Sequence, residues 1–282
     1  SVSTLNSGPA FVPHSRIVVE EVVHAPVASI TDYLAEKTGL AKGRIKHALN
    51  CGALRIKKNR GSFQRVRRAT AAVPAGSTIS FHYDEHLLAI KPPQPELLLD
   101  LQQYSIWFKP PMILSQGSEW GDHCSLLRLA ELHFQQKRQC FLVHRLDREA
   151  CGLMLVAHTG QMADKLSHLF SSREMDKRYL VRVSGRMETT AGTIATPVDG
   201  KTATTHYAVL EENDTSSLLA IQIETGRKHQ IRRHLSEMGH AVLGDARYGE
   251  AAAGGLHLAA VRLCFQCPVQ GRRIDLDISP EK

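Results

Sequence analysis

The chain lacks the features that mark secreted, membrane-spanning or fibrous proteins. Its 282 residues include only six cysteines in no regular spacing, which is typical of reduced thiols inside a cell. No apolar run approaches the roughly 18 residues of a membrane span, and the polar opening lacks the apolar core of a signal peptide. Hydrophobic residues make up 43% and charged residues 22%, as in ordinary globular proteins. We therefore expect a folded cytoplasmic protein with no membrane partner.

Sequence motifs for nucleotide cofactors, serine hydrolases and metal sites are also missing. The chain contains no complete glycine-rich phosphate loop, no GxGxxG and no GxSxG. His229 and His234 lie five residues apart on a predicted helix, so they point to different faces and cannot share a metal. Cys264 and Cys267 have no second cysteine pair with which to complete a zinc site. We expect no metal, no nucleotide and no other cofactor.

Acidic residues are absent from one long stretch of the chain. Between Lys37 and Tyr83 there are eleven Lys or Arg residues and no Asp or Glu, whereas the whole chain carries a net charge of +7. A cationic block joined to a mildly acidic remainder predicts a polyanion-binding element, because each cation that neutralises a phosphate releases counterions. The alternative is a solvated face rich in lysine, although such faces usually mix both signs.

The basic stretch is predicted to contain two helices and a small sheet. Residues 29–39 and 42–50 have helical spacing, and β-like runs follow at 53–57 and 78–83. In this order, ITDYLAEKTGLAKGRIKHALNCGALRI resembles the small RNA-binding domain shared by a small-subunit ribosomal protein and some tRNA synthetases and RNA-modifying enzymes. The resemblance implies that seven cationic side chains face structured RNA: Lys42, Arg44, Lys46, Lys57, Lys58, Arg65 and Arg67.

Three prolines within Ile90–Pro95 mark a boundary between two domains. Beyond it, strand-like segments outnumber helices and show no βαβ regularity. This pattern predicts an α+β fold with a mixed, mostly antiparallel sheet. We predict an N-terminal tail over 1–26 that leads into an extended segment from Arg16 to Val23, a small basic RNA-binding domain over 27–90, a linker over 91–96 and a larger domain over 97–282.

The segment VHRLDREACGLMLVA, residues 143–157, is the most unusual cluster of charges. Asp147 follows Arg145 by two residues, precedes Arg148 and stands between two apolar runs. At the mouth of a cleft, the neighbouring guanidinium groups would favour an ionised carboxylate suited to nucleophilic attack. The alternative is a salt-bridged turn without function, because ion-pair networks also arise for structural reasons.

A second cluster, ETGRKHQIRRHLSEMGH, occupies residues 224–240. His229, Arg232 and Arg233 are three and four positions apart on a predicted helix and are expected to share one face. Such a face could present cationic groups to a phosphate or to a carboxylate elsewhere in the fold.

Taken together, HRLDREACGLMLVAHT, KRYLVRVSG, ETGRKHQIRRHL, GDARYG and GLHLAAVRL resemble the RluA family of RNA pseudouridine synthases, over roughly residues 97–280. The resemblance implies that Asp147 is the catalytic aspartate and that Arg232 pairs with it. It also implies that Arg145 takes the place of the extruded uridine in the RNA stack, and that Tyr179 stacks on the flipped base.

The expected function is the isomerisation of uridine to pseudouridine at one site in structured RNA, with ribosomal RNA the preferred substrate and transfer RNA next. A monomer is expected. Two alternatives stay open at this point. A non-catalytic RNA-binding or ribosome-assembly factor would keep the basic patch, and a hydrolase would use Asp147 to activate water.

Overall fold

The computed structural model describes residues 2–5 and 16–280, which form two compact units. The N-terminal unit contains the described residues up to Pro92 together with Gln116–Leu132. The C-terminal unit contains Pro93–Ser115 and the residues from His133 onward. Among the described residues, no helix is long and apolar enough to cross a membrane.

The N-terminal unit consists of an antiparallel sheet covered by short helices. The strand order is β1-β2-β5-β3-β4. Ile45, Ala48 and Leu49 recur at helical spacing and are fully buried, which seats the second helix against the core. The elements are β1 (Val2–Leu5), β2 (Arg16–Val22), α1 (Ile30–Thr38), α2 (Lys42–Asn50), β3 (Leu54–Lys57), β4 (Gln64–Arg65), β5 (Thr78–Asp84), α3 (Glu85–Leu88) and α4 (Leu126–His133), the last residue of which belongs to the other unit.

The two helices predicted in this unit are confirmed. Gly39 ends α1 with φ of 74°, a left-handed conformation that glycine adopts without strain. The extended segment predicted from Arg16 to Val23 is confirmed as the strand Arg16–Val22, and Val2–Leu5, within the predicted tail, is a strand paired with it. Residues 1 and 6–15 of that predicted tail lie outside the described residues.

The segment Gln116–Leu132 was predicted to belong to the larger domain, and the structure corrects this. Trp120 lies under the Arg16 guanidinium, whose central carbon is 4.9 Å from the indole centroid. The same indole meets the His82 ring edge to face at 5.0 Å. These contacts join residues more than thirty positions apart in the sequence, so no local pattern predicts them.

The C-terminal unit is built on one large sheet of strand order β11-β12-β13-β10-β14-β9-β7-β6, to which β15 adds beside β14 and β8 beside β9. Only the β9–β14 pair is parallel among the described strands, so the predicted α+β fold with a mostly antiparallel sheet is confirmed. The elements are β6 (Glu96–Asp100), β7 (Tyr104–Lys109), β8 (Phe141–Leu142), β9 (Cys151–Ala157), α5 (Gly160–Ser171), β10 (Asp176–Ser184), β11 (Ala191–Ile194), β12 (Thr205–Glu212), β13 (Ser216–Ile223), α6 (Gln230–Glu237), β14 (Leu258–Gln266) and β15 (Arg273–Asp277).

The parallel junction between β9 and β14 fixes the loop that precedes β9. Gly152 has φ of 127°, and a Cβ at this position would collide with the backbone of Ala260. Glycine therefore permits the close approach of the two strands. The loop that enters β9 contains Asp147, so this junction fixes the end of the loop that carries the carboxylate.

Candidate active site

A cleft of about 650 Å³ opens in the C-terminal unit. Its walls come from the loop before β9, from α5, from the start of β10, and from α6 with the loop before it. The four residues that the sequence predicted for the site all line this one cleft, although they come from three separate parts of the chain: Arg145, Asp147, Tyr179 and Arg232.

The Asp147 carboxylate lies beside the guanidinium of Arg232. Oδ2 of Asp147 accepts a hydrogen bond from Nη1 of Arg232 at 3.2 Å. The aspartate side chain remains 23% exposed, whereas the arginine side chain is only 3% exposed. The carboxylate therefore faces the cleft, and its charge partner is held behind it.

Asp245 fixes Arg232 in this position. Its carboxylate accepts two hydrogen bonds from the guanidinium, at 2.9 Å from Nε and 2.7 Å from Nη2. The same carboxylate also accepts the amide hydrogens of Arg247 and Tyr248, which holds it in a tight turn. Burial lowers the pKa of Arg232, but hydrogen bonds to Asp245 and Asp147 outweigh burial, and the pKa lies above its ordinary value. Arg232 is therefore a permanent cation with a fixed orientation.

Glu149 completes the acidic side of this cluster. Its Oε2 lies 3.4 Å from Nη1 of Arg232, the same nitrogen that serves Asp147. The Glu149 side chain is 42% exposed, so this contact is more open to solvent than the one with Asp245. One guanidinium thus serves three carboxylates.

His229 stands at the N-terminal end of α6, close to Asp147. Its Nε2 lies 3.8 Å from Oδ1 of Asp147, and its Nδ1 shares a hydrogen bond with the Tyr248 hydroxyl at 2.9 Å. Burial lowers the pKa of His229, and the Asp147 charge opposes this effect only in part. Because its pKa is lowered, the imidazole is a neutral neighbour of the carboxylate near pH 7. The His229 backbone is left-handed, with φ of 56°, which is uncommon for a residue other than glycine.

Tyr179 forms a buried wall of the cleft on β10. Its side chain is 7% exposed. Burial raises the pKa of its hydroxyl, and the nearby Asp147 charge raises it further. The phenol therefore stays protonated, and its ring offers an apolar face to a planar ligand.

The prediction that His229, Arg232 and Arg233 share one face is wrong for Arg233. Arg233 turns to the exterior and binds the Asp199 carboxylate through two hydrogen bonds of 3.1 Å. Adjacent positions on a helix diverge by about 100°, so Arg232 and Arg233 serve different partners.

The seven cations predicted to face RNA fall into two groups in the N-terminal unit. Arg67 donates to Asp122, with Nη1 at 2.8 Å from Oδ1, and Arg65 lies 3.5 Å from the same carboxylate and donates to the Ser118 carbonyl. Both guanidinium groups therefore have partners within the unit while their side chains remain 23% and 24% exposed, and their contact with RNA stays a prediction. The other five are exposed: Lys42, which pairs with Asp32; Arg44, which pairs with Glu85; and Lys46, Lys57 and Lys58, which have no acidic partner among the described residues.

Sequence reasoning gave no role to Asp245, Glu149 or Tyr248. Asp245 lies in the GDARYG segment, and a local signal for it exists, because an aspartate before a turn often accepts amide hydrogens two and three residues on. No group of His, Cys, Asp and Glu in the described part of the chain has the geometry of a metal site.

Comparison with known proteins assigns the chain to a family. Residues 103–237 match the model of the RNA pseudouridylate synthase family. The uncharacterized RNA pseudouridine synthase YjbO of Bacillus subtilis is 34% identical over 222 residues, which cover 73% of this chain and 71% of that protein. The chain belongs to the RNA pseudouridine synthase family.

Other members of the RNA pseudouridine synthase family match over shorter regions. Ribosomal large subunit pseudouridine synthase D of Nitrosomonas europaea is 34% identical over 161 residues, 51% of this chain and 46% of that protein. An uncharacterized RNA pseudouridine synthase of Mycobacterium bovis is 36% identical over 160 residues, 49% of this chain and 52% of its own length. The chain thus spans about half the length of several curated relatives that it matches.

Solved structures of the family share the fold. Human RNA pseudouridylate synthase domain containing 1 matches with a TM-score of 0.57 at 21% identity, covering 68% of this chain and 86% of that chain. Human RNA pseudouridylate synthase domain containing 4 matches with a TM-score of 0.54 at 24% identity, covering 66% and 89%. The large sheet and its flanking helices are therefore the fold of the family.

Proposed function

We propose that this protein isomerises uridine to pseudouridine at a specific site in structured RNA, with ribosomal RNA the preferred substrate and transfer RNA next. The observation that carries the proposal is the position of the Asp147 carboxylate, which lines the cleft while the Arg232 guanidinium donates a hydrogen bond of 3.2 Å to it from behind. Family membership supports the same reaction. Action in the cytoplasm as a monomer is part of this proposal.

The proposed reaction balances without a co-reactant. The bond between C1′ of the ribose and N1 of uracil breaks, the base turns within the cleft, and a bond forms between C1′ and C5. The hydrogen on C5 leaves as a proton, and N1 gains one. No electrons enter or leave, so the proposal requires no redox cofactor. Asp147 acts on the sugar, either by attack at C1′ or by removal of a ribose proton.

The other cleft residues have complementary roles in this proposal. Tyr179 stacks on the flipped uracil, for which its buried ring and protonated hydroxyl are suited. Arg145 is exposed at the cleft and fills the gap that the extruded base leaves in the RNA stack. Exposed cations of the N-terminal unit bind phosphates and hold the RNA without reading its sequence.

Tritium release from RNA labelled at uridine C5 tests the proposal. The purified protein is incubated with unmodified ribosomal and transfer RNA, beside an Asp147→Asn variant. We expect release by the parent and a loss of more than about a thousandfold in the variant, because the amide can neither attack nor accept the proton. Asp199→Asn is the matched control, since Asp199 is an exposed carboxylate that binds Arg233 on the outer face of α6.

The alternatives predict different results in the same experiment. A non-catalytic RNA-binding factor would bind RNA with unchanged affinity in both forms and release no tritium. A hydrolase would release free uracil or cut the strand instead of forming pseudouridine. Equal tritium release by the parent and Asp147→Asn would show that Asp147 does not carry the reaction.

A further inference from the structure

Lys177 is a cation of the cleft that the proposed chemistry leaves without a role. It stands on β10, two residues before Tyr179, and both residues line the cleft. Alternate residues of a strand point to the same face, so the two side chains share one wall. Two residues of extended chain span about 7 Å, so the two positions are well separated along that wall.

Unlike Lys177, its two neighbours on the same strand form an ion pair. Asp176 and Arg178 are on the opposite face and bind each other at 3.3 Å, with Arg178 47% exposed. The Lys177 ammonium forms no ion pair or hydrogen bond with any other described residue. Burial lowers its pKa below the ordinary lysine value, and no acidic group counters this effect.

The immediate surroundings of Lys177 are uncharged. Its Nζ lies 5.3 Å from the centroid of the Phe170 ring. The His144 ring stacks on the same Phe170 ring, with the two centroids 4.4 Å apart. Burial, and then the Lys177 charge, lower the pKa of His144 to about 3, so the imidazole is neutral. Glu224 also lines the cleft, but its carboxylate lies 3.5 Å from His206 and forms no ion pair with Lys177.

A half-buried ammonium without an anion is unfavourable, because the hydration that it loses is not replaced. Such a group is retained where a ligand supplies the missing charge. RNA presents a phosphodiester for each nucleotide, whereas uracil itself is neutral before reaction. The spacing between Lys177 and Tyr179 is comparable to that between a nucleotide's phosphate and its own base.

We propose that Lys177 binds a phosphodiester of the RNA strand whose uridine enters the cleft. The inference rests on the proposed function and adds an anion subsite on the wall that carries Tyr179. Bound phosphate completes the charge balance of the ammonium and anchors the flipped nucleotide by its backbone.

Three variants test the subsite: Lys177→Gln, Lys177→Arg and the control Arg178→Gln. RNA affinity is measured at several salt concentrations with the ribosomal RNA transcript of the tritium assay, and the same transcript is used for KM and kcat. We expect Lys177→Gln to flatten the slope of log affinity against log salt by about 0.7–0.9, the value for one lost phosphate contact. KM rises about tenfold while kcat changes less than about threefold. Lys177→Arg retains most of the slope, and Arg178→Gln leaves it unchanged.

Thermal unfolding of the free protein separates binding from structure. Lys177→Gln removes a half-buried charge that has no partner among the described residues, so we expect its Tm to equal or exceed that of the parent. A Tm several degrees lower would assign Lys177 to the scaffold and overturn the inference. An unchanged salt slope, or a fall in kcat at unchanged affinity, would also overturn it, the latter by placing Lys177 on the base. Absence of tritium release by the parent would instead refute the proposed function, and the affinity measurements would still decide the phosphate contact.

Discussion

Both units contain a cluster of acidic and arginine side chains, but in one cluster a single carboxylate has several guanidinium partners and in the other a single guanidinium has several carboxylate partners. In the N-terminal unit one carboxylate, Asp122, binds two guanidinium groups, those of Arg65 and Arg67. In the C-terminal unit one guanidinium, that of Arg232, binds three carboxylates: Asp147, Glu149 and Asp245.

The different numbers of partners leave the two aspartate carboxylates with different capacities to accept a hydrogen bond from a ligand. Asp122 is 13% exposed and surrounded by donors, so its lone pairs are occupied. Asp147 has one guanidinium hydrogen bond and is 23% exposed to the cleft, so lone pairs remain for a ligand. The same pair of residue types therefore joins two distant segments of the N-terminal unit and presents a carboxylate to the cleft in the C-terminal unit.

Among the variants that test this comparison, the largest expected effect comes from Arg232→Lys. Lysine keeps the charge but has no planar fork, so it cannot bind Asp245 and orient Asp147 at once. We expect kcat for tritium release to fall about a hundredfold through misplacement of the carboxylate. In urea titrations we expect the free energy of unfolding to fall by about 1.5–3 kcal/mol, the value of a hydrogen bond to a charged group.

Arg233→Lys is the matched control for this variant. The neighbouring arginine makes a similar two-bond contact with Asp199, but on the exposed face of α6. We expect less than a twofold change in kcat from this control. If Arg232→Lys keeps more than half of the parent kcat, the fork geometry is not what orients Asp147.

Asp122→Asn tests the cluster of the N-terminal unit, and its expected effect on stability is intermediate among these variants. The amide cannot balance two guanidinium groups that lie close together, so we expect the free energy of unfolding to fall by about 1–3 kcal/mol. The kcat for tritium release is expected to stay within about twofold of the parent. Chemical denaturation and the tritium assay measure the two quantities.

The exposed pair of Asp32 and Lys42 provides the control for Asp122→Asn. Both side chains are more than 60% exposed, and surface pairs contribute about 0–1 kcal/mol. Asp32→Asn should therefore change the unfolding free energy by less than Asp122→Asn does. Equal small effects of the two variants would mean that Asp122 is a surface pair and not an organising contact.

The sequence predicted those parts of the molecule that depend on local patterns. The α1 and α2 helices follow from apolar periodicity and a terminal glycine, and their structural limits, Ile30–Thr38 and Lys42–Asn50, fit inside the predicted ones. The α+β class follows from strand-like runs without βαβ regularity. These features need only neighbours in sequence, so one chain is enough to read them.

The parts that the sequence did not predict depend on distant partners. Arg65 and Arg67 looked like free cations because Asp122 lies 55 or more residues away. Asp245 has a local turn signal, but its bond to Arg232 depends on how α6 packs. The pairing of Asp147 with Arg232, 85 residues apart, came from family resemblance and not from any local pattern.

The smallest expected effect is on RNA binding, and it distinguishes the cations of the N-terminal unit that have no acidic partner from those that are paired. Lys58 is exposed and has no acidic partner in the described part of the chain, whereas Arg67 is held by Asp122. We expect Lys58→Ala to weaken RNA binding a few-fold and to flatten the salt dependence by about 0.7–0.9, as for one phosphate contact. Arg67→Gln should leave the salt dependence unchanged and lower the unfolding free energy instead. If both variants flatten the salt dependence equally, Arg67 contacts RNA despite Asp122, and the paired arginines of the N-terminal unit belong to its RNA-binding surface.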